Sequence, residues 1–149
     1  MGDRRVVPYE PAHYIEAAGT PQPPDAGQFY ATHPAWTALI DDRVAACAGI
    51  IIRWGGFGEA WAIWTPLGQE PRHRRFIHRA VRDGLWRIIA ARGLYRVQAQ
   101  IATACWPARL WAHHLGFTVD EGDMALYGPN RESYTQVVLF PGLSAKEIP

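Results

Sequence analysis

The most chemically suggestive stretch of the sequence is a run of basic residues in its second half. Between Arg72 and Arg96 there are eight arginines and a single acid, Asp83. The formal net charge of the whole chain is only +1, so this positive charge is local. A local field in a nearly neutral protein usually serves a local anion. The run therefore predicts an anion-binding surface, although a solvated basic helix face would give the same pattern.

A second candidate for chemistry is a lone carboxylate in an apolar, β-rich region. Glu59 is the only acid between Arg43 and Gln69, and it follows Gly58 directly. A carboxylate there can act as a general base if partial burial separates it from bulk solvent. The alternative is an acid at a hairpin end that faces solvent, and the residues alone leave both interpretations open.

The cysteines and histidines do not predict a metal site. Cys47 and Cys105 are far apart in sequence, and neither belongs to a Cys-x-x-Cys pair. We expect two reduced, half-buried thiols. The adjacent His113 and His114 lack the i, i+4 spacing of metal ligands on a helix. As cations they suit the C-terminal end of a helix.

Composition restricts the class of protein. The chain has 149 residues, of which 48% are hydrophobic and 19% charged, and this supports one folded domain rather than a disordered chain. No apolar run approaches the roughly 20 residues that span a bilayer. The first residues lack the apolar segment of a secretion signal. We therefore expect a soluble, cytoplasmic protein without a membrane partner.

Hydrophobic patterns and turn residues predict the elements that position these candidates. The predicted strands are Arg4–Tyr9, Trp36–Ile40, Arg43–Trp54, Glu59–Thr65, Tyr95–Ala102, Phe117–Tyr127 and Ser133–Phe140. The predicted helices are Ala12–Ala18, Phe29–His33, Arg72–Arg92 and Pro107–Leu115. Residues Gly19–Gly27 are predicted to form a loop, because they are rich in Gly and Pro.

The order of these elements predicts the fold class. Strand Glu59–Thr65, helix Arg72–Arg92 and strand Tyr95–Ala102 read as one right-handed β-α-β crossover. A mixed sheet with helices on both faces accommodates the whole order. We expect the two flanking strands of that crossover and the long apolar strand Arg43–Trp54 near the centre of the sheet.

The sequence resembles the GNAT N-acetyltransferase family from roughly Arg4 to Phe140, and three local features carry the resemblance. Residues Glu59–Pro66 look like the family's fourth strand, which opens with an acid and closes with a proline. An amphipathic helix follows directly. Residues Ala108–Phe117 are similar to the family's late helix, which ends in Leu-Gly-Phe. The pattern is also similar to small GNAT-like proteins encoded by tailed phages and prophages.

The resemblance implies a fold and an activity. The fold would be α/β (α+β), a mixed, mostly antiparallel twisted sheet of six to seven strands with helices on both faces. It would be a single domain over residues 1–140, with a tail at 141–149. The activity would be transfer of an acetyl group from acetyl-CoA, as co-substrate, to an amine of a small molecule or a protein.

The resemblance also implies site residues for acetyl-CoA. Glu59 would be the general base, and the main chain of Ile63, Trp64 and Thr65 would bind the pantetheine arm as an added strand would. The family's phosphate turn, Gln/Arg-x-x-Gly-x-Gly/Ala, opens here at Gln69. Its two glycine positions fall on Arg72 and Arg74. The side chains of Arg72, Arg74 and Arg75 would then bind the phosphates directly.

A general acid is harder to assign. The position at which the family often has its acidic Tyr falls on Ala112, which cannot donate a proton. Tyr127 is our candidate replacement, and Tyr134 is an alternative. Cys105 lies near the position at which the family holds the thiol end of CoA.

Two other classes of function stay open. A catalytically degenerate GNAT-like domain could serve as a binding or structural component, associated with a virion if the chain is phage-encoded. Such a role would involve a protein partner. Nucleic-acid binding by the arginine-rich helix is disfavoured, because the basic residues lack interleaved exposed aromatics and the net charge is near zero.

Overall fold

The computed structural model describes residues 2–19, 22–23 and 25–143, and within them the chain forms seven strands. The strands are β1 (Arg4–Pro8), β2 (Ala35–Ile40), β3 (Arg43–Trp54), β4 (Phe57–Trp64), β5 (Arg96–Ala102), β6 (Thr118–Met124) and β7 (Tyr134–Leu139). The predicted tail from residue 144 onward, and residues 20, 21 and 24 of the predicted loop, lie outside the described residues.

Five α-helices and one 3₁₀ turn occur in the described part of the chain. They are α1 (Pro11–Ala18), α2 (Gln28–Ala31), α3 (Pro66–Gln69), the 3₁₀ turn Pro71–His73, α4 (Arg74–Arg92) and α5 (Trp106–His114). None of the described helices is long and apolar enough to cross a membrane.

The strands are hydrogen-bonded in the order β1-β2-β3-β4-β5-β7-β6. Strands β4 and β5 are parallel, whereas β1–β2, β2–β3, β5–β7 and β6–β7 are antiparallel. The predicted mixed, mostly antiparallel sheet of six to seven strands is therefore confirmed. So is the central position of β3, β4 and β5.

The chain divides into two compact units, and each is described by itself. The first comprises Met1–Ile52 and Ala60–Arg92, and the second comprises Arg53–Glu59 and Gly93–Pro149. The expectation of a single domain over residues 1–140 stays a prediction.

The first unit is built on the buried strands β2 and β3. These strands are joined by a tight turn in which Asp41 and Asp42 have φ angles of 50° and 62°, a conformation that Asp tolerates better than most residues. The long helix α4 places its apolar stripe inward, with Ile77, Leu85 and Ile88 buried. In the sequence, Ile77, Val81, Leu85 and Ile88 are spaced i, i+4, i+8, i+11, and this spacing predicts that face.

The second unit begins with a short parallel pairing. Phe57, Gly58 and Glu59 lie opposite Arg96, Val97 and Gln98. Strand β5 pairs on its other side with β7, which in turn pairs with the exposed strand β6. Buried residues of β5 and β7, together with Phe117, provide the apolar interior of this unit: Val97, Val137, Val138 and Leu139.

The predicted helix Arg72–Arg92 begins later than expected. Pro71 restricts the preceding residue to an extended conformation, and Glu70 indeed has φ −60° and ψ 133°. Pro71–His73 then form a 3₁₀ turn before α4 starts at Arg74. The additional helix Pro66–Gln69 was not predicted, although a Thr followed by a Pro is a typical helix start.

The predicted strand Phe117–Tyr127 is also shorter than expected. Strand β6 ends at Met124, because Leu126 adopts a left-handed conformation with φ 58° that cannot continue a strand. Tyr127, our candidate general acid, therefore lies in a connecting segment rather than in a strand.

Gly84 allows α4 to approach β2 closely, and this predicts a substitution that should destabilise the fold. A Cβ at Gly84 would lie 2.6 Å from Cε2 of the buried Trp36. We expect Gly84→Ala to lower the free energy of unfolding by about 1–3 kcal/mol, because the clash outweighs the gain in helix propensity. Urea denaturation monitored by tryptophan fluorescence measures the change.

The matched control is Gly55→Ala. A Cβ there has nothing within 4 Å, and Gly55 does not have a positive φ. It should shift stability by less than about 0.5 kcal/mol. Equal stability of Gly84→Ala and wild type would show that α4 does not pack on β2 as closely as described.

Candidate active site

Thr65 fixes the end of β4 and the start of the following turn. Its single hydroxyl hydrogen is shared between the main-chain oxygens of Val44 (2.9 Å) and Ala45 (3.1 Å), and its oxygen accepts from the amide of Gly68 (3.2 Å). Its own amide donates to Ala45 at 3.0 Å. Thr65 is therefore the N-cap of α3 and attaches that helix to β3.

Gly68 completes this close contact with β3. A Cβ at Gly68 would lie 2.1 Å from the carbonyl oxygen of Ala45, so no other residue fits without moving the main chain. The turn that follows β4 is thus held against the sheet by Thr65 on one side and Gly68 on the other.

The three residues predicted to bind the pantetheine arm differ in what they offer. Ile63 packs with Trp61 against the apolar cluster formed by Ala17, Leu39, Val44 and Cys47. The Thr65 amide is already bonded within the protein, so it cannot also serve a ligand without rearrangement. The main chain of Ile63 and Trp64 stays the predicted binding segment.

Gln69 and Glu70 connect α3 to the 3₁₀ turn. The Gln69 amide donates to the carbonyl of Thr65 at 3.1 Å, and the Gln69 side chain is exposed. The Glu70 carboxylate accepts a 2.7 Å hydrogen bond from Nε of Arg72. That bond, more than any other influence, holds the pKa of Glu70 below its usual value.

Arg74 and Arg75 are exposed at the first turn of α4. Within the described residues, neither guanidinium has a hydrogen-bond or ion-pair partner. Two cations at a helix N-terminus are opposed by the positive end of the helix dipole. This arrangement is stabilised when an anion lies between them and the helix, and arginine suits phosphate oxygens in particular.

His73 differs from the arginines beside it because it is buried, with only 2% of its surface exposed. It lies between Arg72 and Arg74 in the sequence, and a run of basic residues gives no signal that one of them is buried. Arg4 lies beside it, with Nη2 of Arg4 3.2 Å from Nδ1 of His73.

In the second unit, Glu59 is held by two neighbours. Nη2 of Arg53 donates to its Oε2 at 2.6 Å, and Nε2 of Gln98 donates to its Oε1 at 3.2 Å. The Glu59 side chain is 20% exposed, so the expected partial burial is present. Each carboxylate oxygen accepts one hydrogen bond and keeps a second lone pair, so Glu59 can accept a proton while Arg53 and Gln98 hold it in place.

Gln98 belongs to a longer row of polar side chains across the second unit. Its Oε1 accepts from Arg96, whose guanidinium also donates to Asp120 at 2.8 Å. Gln136 donates to the same carboxylate at 2.8 Å, and these two bonds lower the pKa of Asp120. Because the Gln98 oxygen is occupied by Arg96, its amide nitrogen must point to Glu59.

Tyr127 lies in the same unit as Glu59. It is 55% exposed, and its ring is tilted against that of Tyr134 at 5.4 Å. The pKa of Arg53 is raised mainly by its hydrogen bond to Glu59, with a small contribution from Tyr127. The ring of Tyr127 therefore contacts Tyr134, and its electrostatic influence reaches Arg53.

The two thiols differ from the expected half-buried pair. Cys47 is fully buried, and burial raises its pKa to about 11. Cys105 is exposed just before α5. His113 and His114 are exposed in the last turn of α5, as predicted. No cluster of metal ligands occurs among the described residues.

One cavity of about 250 Å³ lies in the second unit and involves none of the predicted site residues. Its walls come from α5, from Phe117 and the start of β6, and from β7: Trp106, Arg109, Leu110, His113, Phe117, Thr118, Val119 and Val137. Its lining combines apolar side chains with two basic ones and the threonine Thr118.

No protein-family model matches the sequence, and no curated protein matches it either. Solved structures do match. The protein yncA from Salmonella typhimurium, solved with its cofactor acetyl-CoA, gives a TM-score of 0.71 at 16% identity, covering 95% of this chain and 96% of that chain. Ribosomal-protein-S18-alanine N-acetyltransferase from Escherichia coli gives 0.71 at 15% identity, covering 99% of each chain. An acetyltransferase of the GNAT family from Streptococcus pneumoniae gives 0.71 at 10% identity, covering 93% of this chain and 99% of that chain.

The chain has the GNAT fold. The resemblance that the sequence indicated is thereby confirmed at the level of fold. Identities of 10–16% establish architecture and not residue roles, so the roles of the site residues stay predictions. The similarity to phage-encoded GNAT-like proteins also stays a prediction.

The capping role of Thr65 predicts a measurable loss of stability. Thr65→Val keeps the shape of the side chain but removes three hydrogen bonds, and it leaves the Gly68 amide unsatisfied. We expect the free energy of unfolding to fall by about 1–3 kcal/mol. Thr65→Ser retains the hydroxyl and is the control. A Val variant as stable as the Ser variant would contradict the capping role.

The difference between the two thiols predicts their reactivity. In the native protein, a disulfide reagent such as Ellman's reagent should react rapidly with one thiol per chain, and Cys105→Ser should abolish that reaction. Cys47 should react only after denaturation, because the thiolate is the reactive form and burial disfavours it. Rapid reaction of two thiols in the native state would show that Cys47 is accessible.

Proposed function

We propose that the protein is a GNAT-type N-acetyltransferase, which moves an acetyl group from acetyl-CoA to an amine of a small molecule or a protein. The observation that carries the proposal is the pair of uncompensated arginines, Arg74 and Arg75, at the start of the helix that follows β4. The fold is shared with yncA, which was solved with acetyl-CoA. We also propose a cytoplasmic location, or association with a virion if the chain is phage-encoded.

The donor set at the turn fits a diphosphate. Glycine would let main-chain N–H groups approach the phosphates, and Arg72 and Arg74 replace it with guanidinium donors that reach further. Gln69 adds an exposed amide beside them. Exposed arginines at this position are costly without an anion and favourable with one. The site therefore suits acetyl-CoA by side-chain rather than main-chain contacts.

Acetyl-CoA would supply the thioester, and the chain would supply proton transfer and positioning. Glu59 would take a proton from the acceptor amine, directly or through a water, on a lone pair that neither Arg53 nor Gln98 occupies. The bonds from Arg53 and Gln98 would keep the carboxylate in place during the transfer. Tyr127, an exposed residue of the same unit, would protonate the leaving thiolate.

A second function is favoured by one observation. Ala112 occupies the position at which the family often has its acidic Tyr, and it is buried in α5 with 6% exposure. A domain that had lost its general acid could retain the fold as a binding or structural component with a protein partner. Binding of CoA without any transfer to amines would favour this alternative.

Titration with coenzyme A by isothermal calorimetry tests the proposal, and the most informative substitution is at Arg74. Arg74→Ala should weaken binding by about 1–3 kcal/mol, because a charge-assisted phosphate contact is lost. Arg87→Ala, an exposed arginine further along α4, is the control and should change binding by less than about 0.5 kcal/mol. If Ala substitutions at Arg72, Arg74 and Arg75 each leave the affinity unchanged, the phosphate assignment is wrong.

The catalytic assignment predicts a separate result. Once a screen of amines and peptides has found an acceptor, Glu59→Gln should lower turnover by about 10²–10⁴-fold, because a positioned base is lost. Its affinity for coenzyme A should stay close to that of wild type. Glu121→Gln, an exposed acid in β6, is the control of equal charge change. Full activity of Glu59→Gln would exclude Glu59 as the base.

A further inference from the structure

The Glu70 carboxylate lies among groups that bind anions. Its Oε2 is 2.7 Å from Nε of Arg72 and 3.7 Å from Nε2 of the buried His73. The residue precedes Pro71 and the first turn of α4, whose dipole also favours negative charge. A single carboxylate oxygen therefore occupies a position that a guanidinium, an imidazole and a helix start all face.

The tautomer of His73 follows from its other neighbour. An arginine N–H can only donate, so Nδ1 of His73 accepts from Nη2 of Arg4 at 3.2 Å. The ring hydrogen of a neutral His73 then lies on Nε2. This N–H is buried and has no hydrogen-bond acceptor among the described residues, since the Glu70 oxygen is too distant at 3.7 Å.

A buried N–H without an acceptor is rare in native proteins, because leaving it unsatisfied is costly. Arg4 holds the ring in this orientation, and it is itself fixed by a bond from Nη2 to the Arg72 carbonyl at 3.2 Å. Arg4 therefore fixes the orientation of the His73 ring through Nδ1, while the Nε2 donor faces the Glu70 carboxylate. An oxyanion slightly closer than that carboxylate would satisfy both His73 and Arg72.

We propose that Glu70 is an internal counter-ion in an oxyanion site formed by Arg72 and His73, and that a phosphate of the ligand displaces it. The proposal rests on the proposed function for the identity of the ligand as a CoA diphosphate. The site itself is assigned from this chain's own contacts. When no ligand is bound, Glu70 neutralises the turn, and when a phosphate arrives, the carboxylate rotates out to solvent.

The exchange is feasible because the pair it breaks is exposed. The Glu70 and Arg72 side chains are 41% and 71% exposed, so their attraction is screened by water. A diphosphate carries more charge than one carboxylate, and in the place that Glu70 vacates it would also bond to Nε2 of His73. Glu70 therefore competes with the ligand, and its removal should strengthen phosphate binding.

Calorimetric titration of the full chain with coenzyme A, and separately with inorganic pyrophosphate, tests this competition. Glu70→Gln is nearly isosteric and removes only the charge. It should bind both ligands about three- to fivefold more tightly than wild type, in the range of an exposed ion pair. Asp83→Asn makes the same charge change on α4, nine residues beyond Arg74, and should alter either affinity by less than about 1.5-fold.

A second variant separates the site from a general charge effect. His73→Phe keeps an aromatic ring of similar size but removes the buried donor, and in the Glu70→Gln background it should cancel most of the gain. Circular dichroism and thermal unfolding show whether this variant is folded. If it is not, the comparison of Glu70→Gln with Asp83→Asn decides the question alone.

The outcomes distinguish this inference from the proposed function. Coenzyme A binding that is equal in wild type and Glu70→Gln overturns the counter-ion role and leaves the acetyltransferase proposal standing. Tighter pyrophosphate binding by Glu70→Gln without any coenzyme A binding supports the oxyanion site and contradicts the proposed function. If neither coenzyme A nor pyrophosphate binds to wild type or to any variant, the counter-ion role and the acetyltransferase proposal are both wrong.

Discussion

The attachment of Thr65 to β3 is the interaction on which the candidate site depends. One hydroxyl bonds two carbonyl oxygens of β3 and the amide of Gly68, and so it ends β4 and starts α3 at a fixed place. Since Gly68 lies directly on the Ala45 carbonyl, the turn cannot shift away from the sheet without breaking these contacts. The positions of Glu70, His73 and the arginines at the start of α4 follow from this constraint.

With the turn fixed, the chemistry of the site depends on which groups replace the usual glycines. Main-chain N–H groups bind a phosphate only when it lies against the backbone. Arginine side chains can bind a phosphate that lies further from the backbone, and they also carry a positive charge. That charge needs a partner when no ligand is present, and Glu70 provides one for Arg72. Arg74 and Arg75 have no such partner in the described part of the chain, and the proposed binding of phosphate rests on them.

Much of the fold could be predicted from sequence, because the strong signals are local. The apolar run of β3 and the stripe of Ile77, Val81 and Leu85 on α4 gave the correct elements. The predicted start of α4 and the predicted end of β6 were wrong. Each boundary is set by the backbone conformation of one residue, beside Pro71 and at Leu126, and the spacing of apolar residues does not report such conformations. Burial of His73, and the donors from Arg53 and Gln98 to Glu59, depend on contacts between residues far apart in sequence. No single-sequence pattern reports such contacts.

A crystal structure of the protein with coenzyme A would locate the diphosphate relative to the start of α4. We expect phosphate oxygens within about 3 Å of the guanidinium of Arg72 or Arg74, with the Glu70 carboxylate turned away from Arg72. A diphosphate bound by main-chain N–H groups alone, with the Glu70–Arg72 pair intact, would contradict this expectation. So would coenzyme A bound at a different surface of the protein.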